Sequence, residues 1–530
     1  MQNTIIKPQV LIVGAGPSGL MMACQLAVRG IPFRIIDKKD HPANYSGALI
    51  VQARSLEIFD QLGIAANAIA QGIIAHQVNI IFNGKKPVSL DLTDIGKGLT
   101  KFPYLLLLEQ TKTERLLIDY LLDFGYSVER EKELVRFVQL QDSVTAVIKL
   151  PDGTEETINA SYLIAADGGQ SLIRKQLNIP FLGKTHQLSL FVLDNNAEVD
   201  LPFNTLTFLF SENASSGIFP LTGERWRIDG TIPKTLKNKE SVTFNDIRER
   251  FAERIRMNIK LNQPEWFSVF HAHQRYAKSF RNNRCFLIGD AAHVLSPVGA
   301  QGMNTGIQDA CNLAWKLSLV IKGEANDSLL DTYHAERQPV AKQLIRSTDR
   351  AFRFVSNENL IAKKLRLYVA PLLLKILFPI IEKQQSISQY LFKGISQTGI
   401  NYRKSSLSSL TSSGNFPIDS PKPGDRLPYI LFEEDGKTVN IQDKANDARF
   451  HLLIFAPQTT AIEFSTIADE YKAILSIEII PFNSGTTTLY KKLGIKHEGC
   501  YLIRPDLHIA FRSNQSGVTH FKQFFNQYLG

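Results

Sequence analysis

The run Gly14-Ala15-Gly16-Pro17-Ser18-Gly19 carries three glycines at the spacing of a phosphate-binding turn. A short apolar run, Val10–Val13, leads into it, and an apolar helical pattern leads out through Val28 and stops at Gly30. In that setting Gly14 permits a tight turn, Gly16 lets backbone approach a pyrophosphate, and Gly19 lets the helix sit close to a sheet. Pro17 and Ser18 open the helix, whose N-terminal N–H groups and partial positive charge face the phosphates. Asp37 follows Gly19 by 18 residues, at the end of a second strand-like run, Phe33–Ile36, with Lys38 beside it. A carboxylate there accepts hydrogen bonds from an adenosine ribose. The chemistry is the binding of a dinucleotide, and the motif suits FAD and NAD equally.

Two later segments point to a flavin. In the first, Tyr162–Ala166 is followed by Asp167-Gly168-Gly169 and, a turn later, Arg174. In the second, Cys285–Ile288 is followed by Gly289-Asp290 and then by Ser296-Pro297-Val298-Gly299-Ala300-Gln301-Gly302-Met303-Asn304-Thr305-Gly306. A carboxylate just past a buried strand, as at Asp290, can hydrogen-bond a sugar alcohol. The glycines from Gly299 to Gly306 let backbone lie flat against a planar ring and end in a helix start, which stabilises negative charge on a reduced flavin.

The elements that must position these groups are legible in the same way. Strand, glycine turn, helix and second strand make a βαβ opening of the parallel-sheet kind. Ser55–Leu62 and Thr111–Phe124 have helical spacing. Val128–Ile148 reads as strands joined by a turn near Gln141–Asp142. From Leu188 to Phe270 strand-like pieces such as Leu206–Phe210, Gly217–Pro220 and Arg225–Gly230 alternate with polar turns, the texture of a mostly β layer inserted into the first domain. Helical pattern runs from Asp290 to about Tyr390. The apolar Leu367–Ile381 stretch, interrupted by Lys375, Pro371 and Pro379, is too broken to span a bilayer and reads as a helix packed on the protein. Six serines in Ser405–Ser413, then Pro421, Pro423 and Gly424, suggest a linker. Strand-like runs from His451 to Phe511 and a final helix over Val518–Tyr528 complete a small α/β domain.

Composition sets the outer bounds. The chain has 530 residues, 44% of them hydrophobic and 21% charged, so it can bury a large core and is not a disordered or fibrous protein. Its net charge of +9 is mild for this length and forms no long basic block, which excludes nucleic acid as an expected partner. Cys24, Cys285, Cys311 and Cys500 are too scattered for a disulfide framework or a zinc module, so a reduced, cytoplasmic setting fits. The start, Met1 to Gln9, is polar and leads straight into the first strand, unlike a signal peptide.

Taken together, the segments resemble the class A, single-component flavoprotein monooxygenases, the family of p-hydroxybenzoate hydroxylase, phenol hydroxylase and rifampicin monooxygenase. Besides the three flavin segments, Arg54-Ser55-Leu56-Glu57-Ile58-Phe59 resembles the family's Arg-Thr-Leu-Glu-Ile run, and Pro103-Tyr104 with Glu109-Gln110 resembles its segment ending in a flavin-contacting glutamine. Gly424-Asp425-Arg426-Leu427-Pro428 and Leu502-Ile503-Arg504-Pro505-Asp506 look like the opening and closing motifs of a C-terminal thioredoxin-like domain, which marks the phenol and polyketide hydroxylase branch. The fold implied is α/β: a Rossmann-like FAD-binding domain (1–75, 105–180 and 275–350), a β-sheet substrate domain (76–104 and 181–274), a helical region (351–404), a linker (405–425) and a thioredoxin-like domain (426–530).

The resemblance implies that Gly14, Gly16 and Gly19, with Pro17 and Ser18, hold the FAD pyrophosphate, and that Asp37 and Lys38 flank the adenosine ribose. Gln110 and Arg54 touch the cofactor. Asp167 and Arg174 belong to the motif credited with FAD and NAD(P)H contacts. Asp290, with Gly289, holds the ribityl chain, and Pro297, Gly302, Met303 and Asn304 line the isoalloxazine. NAD(P)H docks transiently, reduces the flavin, and O₂ then gives a flavin hydroperoxide that hydroxylates an aromatic, phenolic or polyketide-like substrate. NADH and NADPH stay open as donors, and the residues single out no catalytic side chain. A flavin reductase or oxidase without oxygen insertion, and a flavin-binding scaffold, are the alternatives. No stable membrane insertion is expected, and a homodimer is the assembly considered. The chain departs from the family at Gly47, where an arginine commonly helps hold the mobile flavin, and at Leu507, where glycine commonly follows the aspartate. With Cys500 alone in the last domain, dithiol chemistry there is excluded.

Other candidates have plainer readings. His271 and His273 alternate on a strand with no third ligand near in sequence, so no metal is expected. Cys24, Cys285 and Cys311 read as core, and His293 as packing or hydrogen bonding near the flavin. Tyr104 faces the flavin or fills a domain seam, and Arg225 and Trp226 are candidates for the substrate pocket.

Overall fold

The computed structural model describes residues 8–514 apart from 237–238, 240, 297–298, 357–358 and 410–414. Pro297 and the helix expected over Val518–Tyr528 therefore lie outside the described residues. Val10–Val13 forms the heart of a five-stranded sheet, in the order Arg281–Asn282, Cys285–Leu287, Tyr162–Ala165, Val10–Val13, Phe33–Ile36. The last four pair in parallel, with Val10 opposite Tyr162 and Phe33, and Leu163 opposite Cys285. Their side chains are almost all buried, which is why these strands read as continuous apolar runs and not as alternation. Parallel pairing also brings the carboxyl ends of four strands to one edge, so Gly14, Asp37, Asp167 and Gly289 emerge side by side. The Pro17–Val28 and Gly302–Ile321 helices pack on the sheet and contribute Leu20, Met21, Ile307, Leu313 and Leu317 to its core.

A second layer is an eight-stranded sheet. Its order is His293–Val294, Trp266–Ala277, Phe181–Asn195, Arg225–Thr231, Ser215–Leu221, Thr205–Phe210, Gln77–Phe82, Val88–Asp91. One face, through Phe191, Leu193, Leu209, Ile218, Trp226 and Ile228, packs on the Phe244–Ile255 helix. The opposite face, through Val78, Leu206, Phe208, Phe219 and Leu221, joins the core of the flavin-motif layer. The helix is an addition to the strands and turns expected here. Its apolar Phe244, Ile247, Phe251 and Ile255 recur at helical spacing but stand among six charged residues, and its start is fixed by a capping box between Thr243 and Asp246.

The third layer is a four-stranded sheet, Leu475–Ile479, Phe450–Phe455, Gly499–Ile503, Ile509–Ser513, flanked by the Ala461–Glu470 and Thr487–Leu493 helices. One parallel and two antiparallel pairings give the thioredoxin-like layout. The stretch expected as a linker is no loose tether where it is described. Leu407 is buried with Trp315 and Phe450, the Ser405 hydroxyl donates to Glu336 at 2.7 Å, and the Gly424 N–H donates to Ile509 at 2.7 Å. Beneath it runs a buried ionic cluster. Arg504 meets Glu336 at 2.7 and 2.9 Å and Asp506 at 2.6 Å, and Lys316 meets Glu336 at 2.8 Å.

The Ala370–Lys383 helix lies across the Val88 end of the large sheet. Phe378 and Ile381 pack against Phe82, Val88 and Phe210, whereas Leu372, Leu373, Ile376, Leu377 and Ile380 are exposed on the other side. The expected packing thus accounts for one face only. Among the described residues no helix is long and apolar enough to cross a membrane.

Candidate cofactor and substrate site

At the phosphate end, the glycine turn is shaped by what its backbone touches. Gly14 has φ +103°, and a Cβ there would overlap the Ala166 carbonyl. A Cβ on Gly19 would overlap the Gly14 carbonyl. Gly16 is the opposite case: nothing lies within 4 Å of where its Cβ would be, so its backbone opens on free space. Asp37 braces the turn, its Oδ2 accepting from the Ala15 N–H at 2.7 Å and its Oδ1 from the Lys39 N–H at 2.9 Å. Lys38 is exposed and lines, with Lys39 and Lys149, a surface groove of about 400 Å³ on the outer side of Asp37.

At the ring end, three elements meet at Ser18. A Cβ on either Gly289 (φ +55°) or Gly306 would overlap the Ser18 hydroxyl, so both glycines are required for the helices and the turn to approach. Asp290 follows, its carboxylate open to the cleft. Protein around it limits hydration and raises its carboxyl above the usual range, with the His293 imidazole opposing the shift. The Gly302–Ile321 helix begins without a side-chain cap, and no atom stands within 4 Å of a Cβ on Gly302. Its first N–H groups and partial positive charge are left facing the cleft beside Met303.

Behind this end is a buried polar strut that the sequence motifs did not reveal. Asp309 Oδ1 accepts from Arg337 Nε at 2.7 Å, and Oδ2 lies 2.5 Å from His293 Nε2 and accepts the Gly289 N–H at 3.1 Å. Arg337 also donates to the Thr305 carbonyl and the Tyr402 hydroxyl. Burial alone would raise the Asp309 carboxyl, but the His293 and Arg337 charges and hydrogen bonds outweigh it and hold it below the usual range. The signal available in sequence was the one carboxylate of the Gly302–Ile321 helix.

Several expected cofactor residues are committed to protein partners. The Asn304 side chain is buried; it accepts from the Gln52 N–H and the Ser55 hydroxyl and donates to Ile50 and Ala300, leaving only its backbone for the cleft. Arg54 is buried against Glu57 at 2.9 Å and the Asp506 carbonyl at 2.7 Å, so it joins its helix to the last domain. Arg174 donates to the carbonyls of Ala291 and Gly169 and stacks on Phe181 at 3.7 Å, tying the Asp-Gly segment to the Gly-Asp segment. Gln110 accepts from the Ala48 N–H at 3.0 Å and donates to Glu114. Asp167 accepts the Ile173 N–H through Oδ2, while its buried Oδ1 has no protein partner. His271 and His273 are strand neighbours of Ser189 and Thr185, and no metal-ligand cluster occurs among the described residues.

The residues present fit FAD. The turn is open at Gly16, Asp290 is free toward the cleft, the ring end has an uncapped helix start, and the orphaned Asp167 oxygen awaits a donor. The comparisons agree. The FAD binding domain family matches residues 7–348. The chain is 33% identical to 6-methylpretetramide 4-monooxygenase of Streptomyces rimosus, over 97% of this chain and 92% of that one. It is 30% identical to pentachlorophenol 4-monooxygenase of Sphingobium chlorophenolicum, over 85% and 80%. Among solved structures, OxyS anhydrotetracycline hydroxylase from Streptomyces rimosus superposes with a TM-score of 0.76 at 26% identity, covering 99% of both chains. A ternary complex of aklavinone-11 hydroxylase with FAD and aklavinone shares the fold, with a TM-score of 0.81, 22% identity and full coverage of both chains.

Fold and cleft define a flavoprotein that binds FAD at the carboxyl edge of a parallel sheet. The chain belongs to the class A FAD-dependent aromatic monooxygenases, in the branch with a C-terminal thioredoxin-like extension.

Proposed function

We propose that this enzyme spends NAD(P)H and O₂ to hydroxylate a phenolic, polyketide-like ring lying between the strand-edge cleft and the inner face of the eight-stranded sheet. The observation that carries the reading is the convergence of the open glycine turn, Asp290 and the uncapped Gly302 helix start on one edge, with an apolar sheet face bearing Phe208 and Phe219 packed on the same core as Met303. Bound FAD supplies the redox chemistry that links NAD(P)H to O₂. The chain supplies everything else. Gly14, Gly16 and Gly19 bring N–H groups to the pyrophosphate, Asp37 takes the adenosine ribose, and Asp290 takes the ribityl hydroxyls. The helix start at Gly302 holds negative charge on the ring, and the aromatic sheet face excludes water and orients the substrate.

The domain limits set out from the sequence belong to the same reading, as do a cytoplasmic setting and a homodimer. The four unpaired, buried thiols suit a reducing compartment. A second copy would remove from water the exposed Leu372, Leu373 and Ile376 face, a contiguous apolar surface of the kind that marks an interaction site. The protein should purify yellow and sediment as a dimer. With a stimulating phenol it should place ¹⁸O from ¹⁸O₂ in the product, whereas NAD(P)H oxidation that releases only hydrogen peroxide would favour the oxidase alternative.

A further inference from the structure

Side chains alternate across a strand, so each strand of the large sheet divides its residues between two faces. In Arg225–Thr231, Trp226 and Ile228 join the core under the Phe244–Ile255 helix, which leaves Arg227 and Asp229 on the face toward the flavin-motif layer. The registers extend that face sideways. Asp229 is opposite Gly217 on one neighbour and Val192 on the other, Arg227 is opposite Phe219 and Asp194, and Gly217 is opposite Phe208. Phe208 and Phe219 meet edge to face with centroids 5.4 Å apart and pack on the same core as Met303 and Tyr104. Asp229 is half-buried on an interior strand whose other face is covered, so its exposure comes from the cleft side.

The carboxylate there is half used. Oδ1 accepts the Gly217 N–H at 2.8 Å, and Oδ2 has no protein hydrogen bond among the described residues. Gly217 makes this possible, because a Cβ at that position would strike both the Phe219 ring and Asp229 Oδ1. The nearby charges are already matched. Arg227 is paired with Asp194 through two hydrogen bonds of 2.8 Å, and Arg225 with Glu109 and Glu265 at 2.9 Å each. Burial pushes the Asp229 carboxyl up to about 6, with the Gly217 N–H and Arg227 holding it from rising further. An apolar aromatic wall thus carries one carboxylate, ionised at neutral pH, with an oxygen free to accept.

We propose that Asp229 Oδ2 accepts the phenolic hydroxyl of the aromatic substrate and takes its proton as the ring is attacked. The inference rests on the aromatic hydroxylase reading above. The O–H electron pair stays on the substrate oxygen and raises electron density at the ring carbons ortho and para to it. One atom of O₂ enters the ring and the other leaves as water. When the ring regains aromaticity the attacked carbon gives up its hydrogen as a proton to solvent, and the proton held on Oδ2 returns to the substrate oxygen, so the carboxylate is regenerated.

The test compares 1-naphthol with 1-methoxynaphthalene, titrated into the FAD-loaded enzyme and its Asp229→Val and Asp229→Asn variants. Flavin absorbance reports both binding and the integrity of each variant. Wild type should bind the naphthol on the order of tenfold more tightly than its methyl ether. Asp229→Val should lose that preference while binding the ether as wild type does. Asp229→Asn, which keeps an acceptor oxygen without the basicity, should retain part of the affinity and lose most of the hydroxylation of the naphthol. Equal affinity of wild type for the two probes, or a preference that survives in Asp229→Val, overturns the assignment, as does failure of wild type to bind the naphthol. A protein that holds no FAD would instead bring down the hydroxylase reading itself.

Discussion

His293 Nε2 stands 2.5 Å from Asp309 Oδ2 with neither side chain exposed, and the same carboxylate holds Arg337 from its other oxygen. Asp309 is thus the joint between the Gly289 turn and the helix behind it. Asp309→Asn strips the buried Arg337 of its counter-charge, which should cost about 3–5 kcal/mol of stability. Thermal melts of the FAD-free and FAD-loaded variant check this. A loss well under 1 kcal/mol would mean that the strut carries little of the turn's placement.

The Arg504–Glu336 pair gives a pH prediction. Burial alone would raise Glu336, but the Arg504 and Lys316 charges outweigh it and hold its carboxyl well below the usual range. A carboxyl depressed in the folded state contributes stability that is complete above its unfolded value, about 4.5, and is lost as pH falls toward the folded value. Glu336→Gln should therefore be about 3–5 kcal/mol less stable than wild type near pH 7. The gap should narrow in urea melts run progressively below pH 4.5.

Gly306 and Ser18 offer a steric test. Gly306→Ala drives a methyl into the Ser18 hydroxyl and should cost about 1–3 kcal/mol, with FAD affinity falling alongside. Ser18→Ala removes the struck oxygen. The double variant should regain part of the loss, seen as a positive coupling in a double-mutant cycle.

Asp290→Ala removes the carboxylate that opens on the cleft. The expected loss of FAD binding is on the order of 1.5–3 kcal/mol, roughly 10- to 150-fold in Kd. Flavin fluorescence titration checks it, and unchanged affinity would remove the ribityl contact from this residue.

What the residues revealed ahead of the structure was local. The glycine turn, the apolar parallel strands and the Gly-Asp segment declare themselves because a few neighbouring residues carry each signal. The Phe244–Ile255 helix was obscured because its apolar spacing is diluted by charges in a window surrounded by strands. Arg54 and Asn304 illustrate a different limit. Their types and positions suit a cofactor, but the partners they have chosen, Asp506 and Gln52, lie far along the chain. Asp229 was invisible for the same reason: its meaning depends on Gly217 across a strand pair and on which face of the sheet is covered.

The ionic cluster under the last domain also has a history in time. Arg504 leaves the ribosome 168 residues after Glu336, roughly ten to thirty seconds later at typical synthesis rates. Through that interval Glu336 has Lys316, 2.8 Å away in the finished protein, as its nearest cationic partner, and Arg54 waits for the Asp506 carbonyl. The flavin-binding part of the nascent chain is therefore completed from its far end. A chain that terminates early between Glu336 and Arg504 would lack the guanidinium that completes this cluster and the layer that covers it.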